Sequence, residues 1–256
     1  MAAVLEAVVT EAQKQQFRDE GYLILERVIS PEHLELLREE CRRFIELEDA
    51  KMERLGSASQ GITHRNKRYF ISQRYKESAR LHEFIFSPLM AEICRATLGP
   101  TAFLFWEQFV VKGAEVGMKF GWHQDSGYVG FPHRPYLTCW CALDDMSAAN
   151  GTAYILPYSR AGGRDLVAHT REPGSNDLIG YSGDDPGIPV LAPAGSIAVF
   201  SSLTFHRSGT NTTSQARRVY LPQYSAEPIV NKKDGKPKPS GWVEPFLQDG
   251  NIIYQR

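Results

Sequence analysis

The residues of this chain best suited to chemistry are two histidines, an aspartate and an arginine. His123-Gln124-Asp125 sets an imidazole and a carboxylate two positions apart, and in a strand such neighbours point to one side, where both can reach a single metal ion. Spacing alone proves little: with 7 His and 11 Asp in 256 residues, chance supplies about 0.3 His-x-Asp triplets. His33-x-Glu35 has the same form inside a segment that reads as helix, where positions i and i+2 diverge, so it makes no clean chelate. His206 follows the strand-like run Ile197-Ala-Val-Phe200 and offers a second imidazole. Two histidines and one carboxylate on one face of an octahedron leave three positions open, the arrangement of non-haem Fe(II) oxygenases. Arg217, eleven residues beyond His206, adds a planar, permanently charged fork for a carboxylate, such as the far end of a metal-chelating 2-oxo acid. Neighbours on a strand face opposite sides, so only one of Arg217 and Arg218 points inward; the other is a surface charge.

Elements of two textures must position these groups. The first hundred residues read as mainly helical support. Thr10 with Gln13 forms a capping box and Gly21 stops that helix, ahead of a short apolar strand at Tyr22–Leu25. Ser30-Pro31 and Ser87-Pro88 are an N-cap followed by proline at the first helical position. Behind them Leu34, Leu37, Cys41, Phe44 and Ile45, and then Leu89, Ile93 and Leu98, recur at helical spacing before Gly99-Pro100. From Thr101 the chain turns to short runs rich in aromatic and β-branched residues, at 102–112, 136–143, 152–157, 196–200 and 217–224. Such strands predict a sandwich, jelly roll or barrel over 101–225. Residues 159–193 read as a long loop or lid, and residues 226–256 as an extended, solvated C-terminal extension of the same single domain.

Together these segments resemble the phytanoyl-CoA dioxygenase family of Fe(II)- and 2-oxoglutarate-dependent oxygenases over nearly the whole chain. The resemblance rests on Phe17-Arg-Asp-Glu-Gly-Tyr-Leu-Ile-Leu, His123-Gln-Asp125, Trp140-Cys-Ala-Leu-Asp-Asp-Met, Asn150-Gly151, Leu156-Pro-Tyr-Ser, and His206-x-Ser208-x-x-Asn211 leading to Arg217. It implies a mainly β fold, a double-stranded β-helix (jelly-roll, cupin-like) core with flanking N-terminal helices. It also implies Fe(II) at His123, Asp125 and His206, with 2-oxoglutarate held by Arg217. Ser208, Trp140 and Gln108 are further candidates for the cosubstrate pocket. The implied activity is hydroxylation or another oxidation of an unactivated C–H bond of a small-molecule or acyl substrate by O2, with release of succinate and CO2. Related halogenases carry a small residue at the carboxylate position, so Asp125 argues against halogenation. The family's Pro-Gly-Ser-His stands here as Pro157-Tyr-Ser-Arg160, a departure that touches no catalytic position.

The remaining candidates concern the substrate. Trp122, Tyr128 and Phe131, with parts of the 159–193 loop, are expected to line its pocket, and His133 follows the metal motif closely enough to face it. The run His64-Arg-Asn-Lys-Arg68-Tyr-Phe70 reads either as a solvated basic face or as an anion-binding wall. In the second case the substrate is anionic, with a carboxylate, phosphate, phosphonate or CoA group, and Arg68 holds it. His33, His82 and His169 read as surface or capping residues.

Composition limits the alternatives. With 29 basic and 30 acidic groups the net charge is -1, which argues against a nucleic-acid binder whose affinity rests on phosphate neutralisation and leaves room only for a local basic patch. No apolar run approaches the roughly 20 residues of a membrane-spanning helix. Residues 1–10 carry Glu6 and no basic residue, unlike a secretory signal. Cys41, Cys94, Cys139 and Cys141 contain no Cys-x-x-Cys and read as plain thiols, so a cytoplasmic protein is expected. Two other readings stay open: a metal-free β-sandwich binding module, and a cupin-like metalloenzyme that uses the triad without 2-oxoglutarate.

Overall fold

The computed structural model describes residues 7–115, 118–172, 177–237, 241 and 243–254. Helix α1 (Glu11–Glu20) begins at the expected capping box: Thr10 Oγ1 accepts from Gln13 N–H while the Gln13 side chain accepts from Thr10 N–H. It ends at Gly21, whose φ of +79° closes the helix. A side chain there would also meet Thr204 Oγ1 at 2.5 Å, so only glycine fits both the turn and the contact. Strand β1 (Tyr22–Leu25) follows, then α2 (Pro31–Arg54), capped by Ser30, which buries Leu37, Cys41 and Phe44 on one face. Truncating a buried ring such as Phe44 to alanine costs about 3–5 kcal/mol. The segment after α2 departs from a purely helical support, because Arg68–Ser72 forms strand β2 ahead of α3 (Ala79–Ile85) and α4 (Pro88–Thr97).

The C-terminal part supplies β3 (Ala102–Lys112), β4 (Phe120–His123), β5 (Leu137–Ala142), β6 (Ala153–Leu156), β7 (Ile197–Ser201), β8 (Phe205–Ser208), β9 (Arg217–Ser225) and β10 (Glu244–Gln248). They pair antiparallel in two sheets. The main sheet runs β1-β7-β5-β9-β3-β2, and the smaller one places Ile188–Pro189, β6, β8 and β4 side by side. Alternation along the main sheet shows what each face does. Cys139, Cys141, Ile197, Val199 and Tyr220 face the helices, whereas Trp140, Ala142, Ala198, Phe200, Val219 and Leu221 face the smaller sheet. This is the double-stranded β-helix expected from the sequence, with the main sheet buried on both faces.

Two expectations need correction. Residues 159–193 are not one structureless loop: a helical turn at Tyr158–Ala161 leads to a pair of two-residue strands, Thr170–Arg171 and Leu178–Ile179, and Ile188–Pro189 joins the smaller sheet. The region after 226 is not wholly solvated either. Strand β10 returns to pair with the start of β3 and buries Phe246 and Leu247. Short apolar stretches such as these carry too little periodicity to stand out. Among the described residues no helix is long and apolar enough to cross a membrane, and all four cysteines are free and buried.

Candidate metal centre

The smaller sheet brings the triad together. His123 ends β4 and His206 lies opposite it on β8 in direct register, with ring centroids 4.1 Å apart. Asp125 opens the short helical turn that follows β4. One ligand atom from each of the three residues lies within 4.8 Å of the others. Asp125 Oδ1 is 3.5 Å from His206 Nε2 and 3.8 Å from His123 Nε2, somewhat wider than the roughly 3 Å between adjacent ligands about 2.1 Å from a metal. Both imidazoles are fixed in the useful tautomer: His123 Nδ1 bonds Gly121 O at 2.8 Å and His206 Nδ1 bonds Thr204 O at 3.1 Å. A neutral ring that donates from Nδ1 to a carbonyl presents the Nε2 lone pair. Burial, followed by the neighbouring His206, pushes the His123 pKa well below the usual histidine range and keeps it in that form.

The main sheet holds the carboxylate. Asp125 Oδ2 accepts from Thr138 Oγ1 on β5 at 2.6 Å and from Gln223 Nε2 on β9 at 3.0 Å, which leaves Oδ1 to face the histidines. Gln124, buried between the two ligands, ties their loop to its surroundings. Its side chain donates to Asp165 O and Leu203 O and accepts from Val167 N–H. The Gln124 amide donates to His169 Nε2 at 3.0 Å. His169 thus packs against the metal loop instead of capping a surface turn, and a Cβ on Gly127 would lie 2.8 Å from its ring. His133 bonds Phe131 O and Ser126 Oγ behind that loop.

Two cavities meet at the triad. The first, about 550 Å³, is lined by His123, Asp125 and His206 at one end and by Arg217, Lys112 and Arg68 at the other, with Trp140, Gln108 and Ser208 along its walls. The three cations form one row across three strands, since Lys112 on β3 pairs in register with both Arg68 on β2 and Arg217 on β9. Like charges side by side in a sheet repel, and each is handled differently. Arg68 is 2% exposed and matched by Asp177, at 3.1 Å from Nη1 and 3.4 Å from Nη2. It is therefore neither a solvated basic face nor a free anion-binding wall. Lys112 donates to Met118 O and Gly209 O, and burial beside Arg217 and Arg68 holds its pKa down to about 6. Arg217 is 2% exposed and donates from Nη2 to Gly151 O at 3.1 Å, while Nε and Nη1 have no partner. Burial lowers its pKa to about 10, still far above neutrality. Arg218, on the other face, is no bare surface charge, because Asp144 accepts from its Nε and Nη2.

The second cavity, about 720 Å³, is walled by Phe70, Phe105, Trp106, Phe120, Tyr128 and Tyr136. Gln108 and Gln223 supply its amides, and His123 and Asp125 close the metal end. Of the expected substrate-facing residues, Tyr128 lines it. Trp122 does not, because it precedes inward-facing His123 and so lies on the outer face of the smaller sheet, against Phe205, Leu156 and Arg207. Phe131 and His133 also line neither cavity; Phe131 packs behind Phe105 and Tyr136. Sequence reasoning passed over Lys112, Thr138, Gln223 and most of the aromatic wall. The available signal was parity: Gln108, Val110 and Lys112 alternate on the face of β3 that their strand partners share.

The family model described as phytanoyl-CoA dioxygenase (PhyH) matches residues 17–219. Phytanoyl-CoA dioxygenase domain-containing protein 1 of Danio rerio is 27% identical over 261 residues, spanning 83% of this chain and 89% of its own. An ectoine dioxygenase of Bordetella parapertussis is 25% identical and covers 86% of this chain and 76% of its own. Among solved structures, EvdO2 from Micromonospora carbonacea var. aurantiaca, complexed with 2-oxoglutarate, shares the fold with a TM-score of 0.66 at 23% identity, covering 92% of this chain and 97% of its own.

Proposed function

The chain belongs to the phytanoyl-CoA dioxygenase family, and from that footing we propose that it is an Fe(II)- and 2-oxoglutarate-dependent dioxygenase that oxidises an unactivated C–H bond of a small molecule. The observation that carries this reading is Arg217. A charged guanidinium buried with two unpartnered nitrogens is costly unless an anion completes it. It stands at the far end of the cavity that begins at the triad. A molecule that chelates a metal at one end and carries a carboxylate at the other satisfies both ends, which disfavours a metal-free binding module and a cupin-like enzyme without a keto acid.

The donor set suits Fe(II): two imidazole nitrogens and one carboxylate oxygen on one side leave three positions for other ligands. When bound, iron and 2-oxoglutarate supply the O2 activation, with succinate and CO2 as the family's coproducts. The chain does the placing. Gly121 and Thr204 carbonyls orient the imidazoles, Thr138 and Gln223 hold the outer oxygen of Asp125, and Arg217 receives the distal carboxylate beside Trp140. Ser208 and Gln108 complete the walls of that chamber. Asp125 keeps the third protein ligand in place, which favours hydroxylation over halogenation. We read the chain as one catalytic unit, and its buried free thiols suit a reducing, cytoplasmic setting.

The test is anaerobic titration of the apoprotein with Fe(II) and then 2-oxoglutarate. A weak visible charge-transfer band of the chelated keto acid is expected, absent in Asp125→Ala and shifted to much higher 2-oxoglutarate concentration in Arg217→Ala. Iron binding without the band would support the cupin-like reading, and no iron binding would overturn the proposal.

A further inference from the structure

The aromatic cavity points to the chemical class of the substrate. Resting on the Fe(II)/2-oxoglutarate reading above, we propose that this enzyme takes an uncharged, ring-containing substrate, with its rings held by Trp106 and its neighbours and a neutral oxygen group facing Gln108.

Three observations support this. The first is the wall itself: six aromatic rings surround the space, and Phe105 and Tyr136, 4.9 Å apart, back it with an apolar layer that includes Val129 and Ile229. Flat apolar surface is what such rings bury well, in offset or edge contacts. The second is charge. Among the described residues no lysine or arginine lines this cavity. The row of cations opens on the other chamber, where Asp177 already matches Arg68. With the metal and the keto acid in place, the two charges of Fe(II) and the one of Arg217 balance Asp125 and the dianion. An anionic substrate in the aromatic cavity would have no cation lining that cavity to pair it, and burying an unpaired charge is strongly unfavourable. The cation on which an anionic substrate would have rested is thus already engaged. The third is Gln108, at the junction of the two cavities. Its amide has no hydrogen-bond partner among the described residues, and an amide suits a hydroxyl, ether or carbonyl group.

The test uses the anaerobic Fe(II)·2-oxoglutarate protein and three probes on one naphthalene skeleton: 2-naphthalenemethanol, 2-naphthoate and 2-naphthylmethylammonium, with affinities read by calorimetry. The alcohol should bind at least tenfold more tightly than either charged probe. Trp106→Ala should weaken the alcohol about tenfold and leave the keto acid band unchanged, which shows that the metal chamber remains folded. Binding of the carboxylate or the ammonium within threefold of the alcohol, or no binding of the alcohol, would overturn the inference. Absence of the band before any probe is added would instead overturn the cofactor reading, so the two fail separately.

Discussion

The two cavities share strands and walls yet hold opposite chemistry. Lys112 belongs to the cationic chamber and Trp106 to the aromatic one, six residues apart on β3, a distance of roughly 20 Å along an extended chain. Both chambers touch His123 and Asp125. In the first, charge is fixed by a cross-strand row in register; in the second, apart from the metal-binding His123 and Asp125, the polar groups are the amides of Gln108 and Gln223 and the hydroxyls of two tyrosines. A sheet can therefore assign a charged cosubstrate and an uncharged substrate to two sides of one metal by changing residue types along a single face.

Removing the triad should disable both chambers. Asp125→Ala or His206→Ala is expected to lose iron binding and all turnover, checked by metal analysis of the dialysed protein. The next largest effect separates structure from chemistry. Arg68→Met removes the guanidinium from the buried Asp177 carboxylate and should cost about 3–5 kcal/mol of stability in denaturant titrations, whereas Arg68→Met with Asp177→Leu should recover most of it. Full recovery of 2-oxoglutarate affinity in that double variant would show that Arg68 serves the fold and not the cosubstrate. Arg217→Ala should weaken 2-oxoglutarate by about 2–5 kcal/mol, roughly 30-fold or more, with naphthalenemethanol binding to the metal-loaded protein little changed at saturating keto acid. Thr138→Val and Gln223→Leu free the outer oxygen of Asp125 and should each lower metal affinity by about 10–100-fold, measured by competition with a chelator.

The smallest effect is a proton. Burial, then the charges of Arg217 and Arg68, hold the folded Lys112 amine at about 6 instead of its ordinary 10.5. Between those values the unfolded chain carries the proton and the folded chain does not. Lys112's contribution to stability is therefore fully present above 10.5 and lost as pH falls through 6. A bound dianion raises this pKa, so 2-oxoglutarate binding at pH 7 should take up protons and weaken as pH rises. Calorimetry in buffers of different ionisation enthalpy should show the uptake, and Lys112→Met should abolish it.

How much of this was legible depended on whether the signal was local. The caps at Thr10, Ser30 and Ser87 each involve residues three apart, and the helices begin where those residues say. Strand parity and spacing made His123, Asp125, His206 and one of Arg217 and Arg218 candidates, the family resemblance selected among them, and the fold gathers His123, Asp125, His206 and Arg217 around one chamber. Contacts set by register across the sheet were not legible: Gln223 meets Asp125 across 98 positions and Arg68 meets Asp177 across 109. A lysine near a strand end, such as Lys112, looks like a surface residue until its two arginine neighbours are paired with it. Trp122 shows the opposite failure, because the parity that turns His123 inward turns its neighbour out.

The central claim, that cosubstrate and substrate occupy separate chambers joined at one metal, is tested most directly by a crystal structure of the anaerobic protein with Fe(II), 2-oxoglutarate and 2-naphthalenemethanol. The account predicts anomalous iron density among His123, Asp125 and His206, the keto acid extending to Arg217, and the naphthalene rings beside Trp106 and Tyr128. A keto acid lying in the aromatic cavity, or an iron held away from the triad, would contradict it.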